Sequence, residues 1–297
     1  MCKISKKRLK CLRKTGNIFT NVLVAFIKFH YYNNNNNVNI DSRSFKMSKH
    51  LVFNSKIGSQ KPNSLLNSDA DCPFCDRDNL TDLLETEGSI IWLKNKYPTL
   101  EDTYQTVIIE TDECHSELSE YNKDHLYRVI SFGLKHWKNL IHSKRYESVL
   151  LFKNHGPYSG GSLRHPHMQI VGLEKMNYLK SMSDEHFNGI QIEHKNGIEY
   201  NISKYPRMGF FEFNVIMENH DNIESFADNI QISAHYILNH FNKNCNSYNL
   251  FFYELGEKIA VKIMPRFSTS PLFVGYSIPQ VSNRIEDVVK KIKTIYF

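Results

Sequence analysis

From Asn122 onward the apolar residues change period, and that change restricts the fold more than any other feature of the chain. Leu126, Val129, Ile130, Leu134, Trp137, Leu140 and Ile141 recur at mostly three- and four-residue intervals, which predicts an amphipathic helix ending near Ser143. The flanking stretches have strand character. Residues 89–93 and 106–110 (Thr-Val-Ile-Ile-Glu) precede the helix, and 148–153 and 167–173 follow it. Strand, strand, long helix, strand, loop, strand predicts an α+β unit with a mostly antiparallel sheet. The second half follows this order more faintly: 210–217 is strand-like, 223–241 helical, and 248–254 with 258–264 form a hairpin turning at Gly256. The expectation is two related α/β repeats, each with an antiparallel sheet and a long helix, over residues 47–180 and 181–297. No long linker separates them.

Composition excludes some classes. With 41% hydrophobic residues in 297, the chain can build a substantial core. The net charge of +6 falls mostly on Lys3, Lys6, Lys7, Arg8, Lys10, Arg13 and Lys14, so the remainder is close to neutral and argues little for nucleic-acid binding. Residues 1–46 differ from the rest and carry five consecutive asparagines, Asn33 to Asn37. The apolar stretch Ile18 to Ile27 is short of the ~20 residues a bilayer span needs. It resembles a signal-peptide core, but no small-residue cleavage site follows it. Met47-Ser-Lys-His-Leu reads as an ordinary cytoplasmic start, so residues 1–46 are expected to be a disordered or non-native extension, with a membrane-targeting tail as the competing reading. The cysteines form no disulfide framework, which fits a reduced, cytoplasmic setting with no membrane partner.

Residues 154–169 carry the chemistry. A small-residue loop (Ser159, Gly160, Gly161, Ser162) runs into His165-Pro166-His167, with Gln169 beyond. Glycines let backbone N–H groups approach a phosphate where a Cβ would block them. If 167–173 is a strand, His167, Gln169 and Val171 share one face. A neutral imidazole can attack phosphorus and divide one hard displacement into two easier ones, so His167 is the candidate nucleophile. Gln169, Ser162 and the glycine N–H groups could stabilise the shifting phosphoryl charge. The bland alternative makes both histidines structural or metal ligands; the chain has 14 of them.

Cys72-Pro73-Phe74-Cys75 offers two thiolates on a tight turn, and two more ligands would complete a tetrahedral zinc site. The candidates are His115 and His165, with Cys114 a rival for the place of His115. Two packed or redox thiols are the plain alternative.

Asn154-x-Gly156-x3-Gly160-x-Ser162-x2-His165-Pro166-His167-x-Gln169 resembles the active-site segment of galactose-1-phosphate uridylyltransferases, within the histidine-triad superfamily. Cys72-Pro73-Phe74-Cys75 and His115-Ser116 resemble that family's zinc knuckle and third ligand. Asn95-Lys96-Tyr97-Pro98 is similar to its nucleotide-contacting turn. The resemblance covers about residues 68–173. It implies a histidine-triad-like fold and a ping-pong nucleotidyl transfer on a nucleoside diphosphate sugar or dinucleotide. His167 would carry the nucleotidyl group, Gln169 and Ser162 would hold its phosphate, and Asn154 would support the loop. Asn95, Gly160 and Gly161 would bind substrate, and Cys72, Cys75, His115 and His165 would bind a structural zinc. Related enzymes are often dimers with shared sites, so a homodimer is expected.

The departures concern specificity. Leu163-Arg164 stands where the family has Asn-Pro, adding the cation of Arg164 beside the phosphates; Met168 replaces a small residue. The family's arginine-containing N-terminal motif is absent, and Lys56 to Ser64 occupies its place. The second repeat has no His-x-His; Lys262 and Arg266 would form either a basic phosphate-facing edge or a solvated strand. A nucleotide hydrolase or phosphorylase using the same histidine, or a catalytically silent nucleotide-binding protein, are the alternatives.

Overall fold

The computed structural model describes residues 50–63, 65 and 72–297. The expected extension over 1–46 lies outside the described residues.

Ten strands form one sheet: β1 (Leu83–Glu87), β2 (Ile90–Lys94), β3 (Thr103–Ile109), β4 (Ser148–His155), β5 (His167–Leu173), β6 (Gly189–Lys195), β7 (Ile198–Ser203), β8 (Phe213–Met217), β9 (Tyr248–Leu255) and β10 (Lys258–Pro265). Their order is β1-β2-β3-β5-β4-β9-β10-β8-β7-β6, and every pairing is antiparallel. Counted inward from its own edge, each half runs first, second, third, fifth, fourth strand, and β4 pairs with β9 at the centre. A long helix lies between the third and fourth strands of each half: α1 (Lys123–His142) and α2 (Ile223–Tyr236).

α1 starts where Asn122 caps the backbone N–H of His125 at 2.9 Å, an interaction worth about 1 kcal/mol. Its apolar stripe buries Leu126, Val129, Ile130, Leu134, Trp137 and Leu140. The indole N–H of Trp137 donates to the carbonyl of Val149 at 2.8 Å, tying the helix to β4. Met168 and Ile170 of β5 and Val149 and Leu151 of β4 belong to the same core, so alternation turns His167 and Gln169 to the opposite face.

The structure adds β1, the β6–β7 hairpin and a third helix, α3 (Ile285–Tyr296), to the expected elements. Asn196 and Gly197 turn the hairpin with φ of 55° and 71°, the left-handed pair that a two-residue hairpin loop requires. The helix expected over 223–241 is α-helical only to Tyr236 and widens to a π turn over Ile237–Phe241. Among the described residues no helix is long and apolar enough to cross a membrane.

Candidate active site

Away from the helices, the first half of the sheet carries a cleft of about 430 Å³. His167, Gln169, Asn95, Asn154, Gly160, Gly161 and Ser162 all line it. Register explains the floor: Leu93 pairs with Val107, Val107 with Gln169, and Gln169 with Phe152, across four adjacent strands.

The His167 ring is 7% exposed, and its Nδ1–H donates to the carbonyl of His165 at 2.8 Å. That bond fixes the tautomer and leaves Nε2 as the unprotonated nitrogen. Burial holds the imidazole well below its ordinary pKa, at about 4; the charges of Lys153 and Lys61 act in the same direction against the bond to His165. The His167 ring is therefore neutral near neutral pH. The side chain of Gln169 has no hydrogen-bond partner among the described residues.

The second half of the sheet holds the glycine loop. Asn249 of β9 donates from Nδ2 to Asn154 Oδ1 at 2.6 Å and to the carbonyl of Ser159 at 3.0 Å. The N–H of Tyr158 donates to Ser247 Oγ at 3.1 Å. Gly156 has φ of 81°, and a Cβ there would fall 2.2 Å from the carbonyl oxygen of Asn246, so only glycine fits. Asn95 accepts the N–H of Tyr97 at 2.9 Å, an Asx turn that leaves its amide N–H groups to the cleft.

The group that could hold a metal ion is Cys72, Cys75, Cys114 and His165, whose ligand atoms all lie within 4.8 Å of one another. The expected His115 is not of this group. Cys114 and His115 are adjacent in one turn after β3; Cys114 is half-buried beside the knuckle and His115 is exposed. His165 Nδ1 is 3.5 Å from the sulfurs of both Cys72 and Cys75, and its Nε2–H donates to the carbonyl of Thr111 at 2.8 Å. Arg77 donates to that carbonyl at 3.1 Å and to the carbonyl of Ser89 at 2.6 Å. Three thiols and one imidazole fit a tetrahedral ion, whose sulfurs would stand about 3.8 Å apart. For Cys72, burial raises the pKa, but bonds from His165, the Phe74 backbone and Cys114 outweigh it and bring the thiol down to about 6. Burial and the neighbouring thiols push Cys114 up to about 12.

Arg164 is exposed and does not line the cleft; Leu163 does. Met168 packs in the core on the helix side and stays out of the cleft. Lys262 is neither a solvated residue nor part of a phosphate-facing edge. It is fully buried, 3.0 Å from Glu212 and 2.8 Å from Asn214 Oδ1. Arg266 is half-buried and also lies outside the cleft lining. The cleft gains Phe53, Lys61, Phe74, Asp76, Asn79 and Lys94 beyond the expected residues. Lys61 lies in the Lys56 to Ser64 stretch, so the missing arginine motif was itself the available signal.

The antiparallel α+β sheet that carries this cleft is a fold that solved structures share. The chain is similar in fold to a uridylyltransferase at 14% identity and TM-score 0.62, over 76% of this chain and 91% of that one. An ADP-glucose phosphorylase from Arabidopsis thaliana, solved with bound ADP-glucose, gives 15% identity and TM-score 0.62 over 81% and 94%. Two family models, the DUF4931 (domain of unknown function) N-terminal and C-terminal domains, match residues 53–176 and 179–297, so the chain belongs to the DUF4931 family. A DUF4931 family protein from Bacillus cereus ATCC 10987 is 52% identical, with TM-score 0.66, over 72% of this chain and 98% of that one. Among curated proteins no sequence matches.

Proposed function

We propose that this chain is a nucleotidyltransferase that acts on a nucleoside diphosphate sugar or dinucleotide through a covalent nucleotidyl-histidine at His167. The observation that carries this reading is the unprotonated Nε2 of His167, held in the cleft by the Nδ1–H bond to His165. Nε2 attacks the α-phosphorus, an N–P bond forms, and the P–O bond to the leaving phosphate breaks. An oxygen of the acceptor then attacks the same phosphorus, the N–P bond breaks, and the neutral imidazole returns. The free amide of Gln169 donates to the non-bridging oxygens as charge shifts onto them. Asn95, Asn154, Gly160, Gly161 and Ser162 position the nucleotide, and Lys61 faces its phosphates.

The Cys72, Cys75, Cys114 and His165 set suits zinc, which with four protein ligands would be structural and would supply rigidity. Through the His165 carbonyl, that rigidity orients the His167 ring. The chain is further read as a duplicated histidine-triad-like unit, because both halves run through the same strand and helix order. The fold shared with a phosphorylase supports inorganic phosphate as an alternative acceptor in the second step.

Incubation with UDP-glucose, ADP-glucose, a GDP-sugar and a diadenosine polyphosphate, followed by intact mass, is expected to show one added nucleoside monophosphate on the wild type. His167→Ala is expected to show none. No adduct with any donor, or an equal adduct on the variant, would sink the mechanism. Adding phosphate or a hexose phosphate to the isolated adduct then identifies the acceptor.

A further inference from the structure

Resting on the structural-zinc reading above, we infer that Arg77 is the counter-ion of the three-thiolate site. It offsets the negative charge that Cys72, Cys75 and Cys114 leave over when a divalent ion binds. Three thiolates and a neutral imidazole carry one negative charge more than zinc cancels. A set of two cysteines and two histidines, with His115 in place of Cys114, would be neutral and would need no such partner. A surplus charge at a half-buried site costs free energy unless a cation or hydrogen-bond donors answer it.

Arg77 has the matching surplus. It is half-buried, and among the described residues it makes no ion pair. Its neighbour Asp76 accepts the Asn79 amide instead, at 2.9 and 3.1 Å, and Asp78 is exposed. Arg77 Nη2 donates to main-chain carbonyls, that of Ser89 at 2.6 Å and that of Thr111 at 3.1 Å. Its Nε is buried with no hydrogen-bond partner among the described residues. Carbonyl oxygens solvate a guanidinium but do not neutralise it.

The position of Arg77 ties that charge to the cluster. It follows Cys75 by two residues, and the Thr111 carbonyl it holds also accepts the Nε2–H of His165 at 2.8 Å. Thr111 stands three residues before Cys114. One guanidinium therefore joins the knuckle, the imidazole and the turn that brings the third thiol. Burial pushes the Cys75 thiol up, and the Arg77 charge acts against that rise. Residues that support metal ligands in this way commonly change metal affinity about 10- to 100-fold.

The test measures the zinc affinity of the full chain by competition with a chromogenic pyridylazo chelator. Arg77→Met and Arg77→Lys are compared in the wild type and in Cys114→His. Arg77→Met is expected to weaken zinc binding about 10- to 100-fold. Arg77→Lys keeps the charge but loses the planar fork, and should recover much of that affinity. In Cys114→His, whose ligand set is neutral, Arg77→Met should cost far less. Unchanged affinity in Arg77→Met, or equal losses in Arg77→Met and Arg77→Lys, overturns the inference and leaves the zinc site standing. So does a loss in Cys114→His as large as in the wild type, because Arg77 would then act as a strut and not as a charge. If Cys114→His binds no zinc, the comparison of Arg77→Lys with Arg77→Met decides alone. A wild type that binds no zinc overturns both readings.

Discussion

One row of paired residues crosses the sheet as Leu93, Val107, Gln169 and Phe152 in the first half, then Phe251, Lys262, Asn214 and Asn201 in the second. Gln169 and Lys262 occupy matching places, each one strand outboard of the central Phe152–Phe251 pair. Around Gln169 the face is open and forms the cleft. Around Lys262 it is sealed by the chain itself. The Lys262 ammonium donates to the carbonyl of His186 and stands 5.0 Å from the centre of the Phe187 ring. The amides of Asn201 and Asn214 donate to the carbonyl of Phe187 at 3.0 and 3.3 Å. In both halves a short segment lies over this face just before the first strand, residues 72–82 in one and 178–188 in the other. The first is gathered at its knuckle around the Cys72, Cys75, Cys114 and His165 cluster, which could hold a metal ion and leaves the rest of the face open. The second is fastened by a buried ion and three amide or ammonium bonds, which use up the polar groups a ligand would need. The same strand geometry thus gives a reactive site or a closed wall according to how the overlying segment is tied down.

Untying the first fastening has the largest expected effect. The purified protein is expected to carry about one zinc per chain by metal analysis, and Cys114→Ser to carry essentially none, because three ligands hold the ion far less tightly than four. His115→Ala should keep the full complement. Retention by Cys114→Ser together with loss in His115→Ala would reverse the ligand assignment and with it the comparison of the two fastenings.

The second fastening ranks next. Lys262→Met leaves the fully buried Glu212 without its counter-charge, at a cost of about 3–5 kcal/mol. A lower urea midpoint would report it, and adding Glu212→Gln should recover much of the loss by removing the orphaned charge. Burial lowers the Lys262 pKa while Glu212 opposes that shift. A group whose folded pKa lies below its unfolded value costs stability as the pH falls below the unfolded value. The wild type should therefore gain stability over Lys262→Met as the pH rises towards the ordinary lysine pKa of ~10.4, where the unfolded chain also sheds this proton. A midpoint unchanged by Lys262→Met would mean that the second face is not held by this ion at all.

Legibility in the chain followed distance along it. His165, His167 and Gln169 could be read because a turn, a proline and strand alternation act within five residues. The Cys72–Cys75 knuckle was equally local, but Cys114 and His115 are neighbours, and spacing cannot say which one a turn directs towards it. The buried state of Lys262 left no local trace: its partners Asn214 and His186 are 48 and 76 residues away. Strand β1 was hard to read for another reason. As an edge strand it exposes Leu83 and Leu84, at 50% and 37%, and so lacks the alternation of a half-buried strand. The β6–β7 hairpin did carry a local signal in Asn196-Gly197, and α3 in the spacing of Ile285, Val288, Val289 and Ile292.

The smallest expected effect tests whether the two faces depend on each other. Asn249 belongs to the second half, yet its amide bridges Asn154 and Ser159, 95 and 90 residues earlier. Asn249→Ala removes two donors from nearly buried acceptors, a loss of about 1–3 kcal/mol in stability. It should lower the rate of nucleotidyl-His167 formation more than it weakens nucleotide binding, because the loop would still supply its groups but hold them less rigidly. Asn249→Asp separates bond from volume: it keeps the shape but offers a carboxylate to two acceptors, so it should be at least as damaging as alanine. If both variants form the adduct at the wild-type rate, the sealed half contributes only a wall. A slowed rate in both would show that the second half steadies the loop of the first through Asn249.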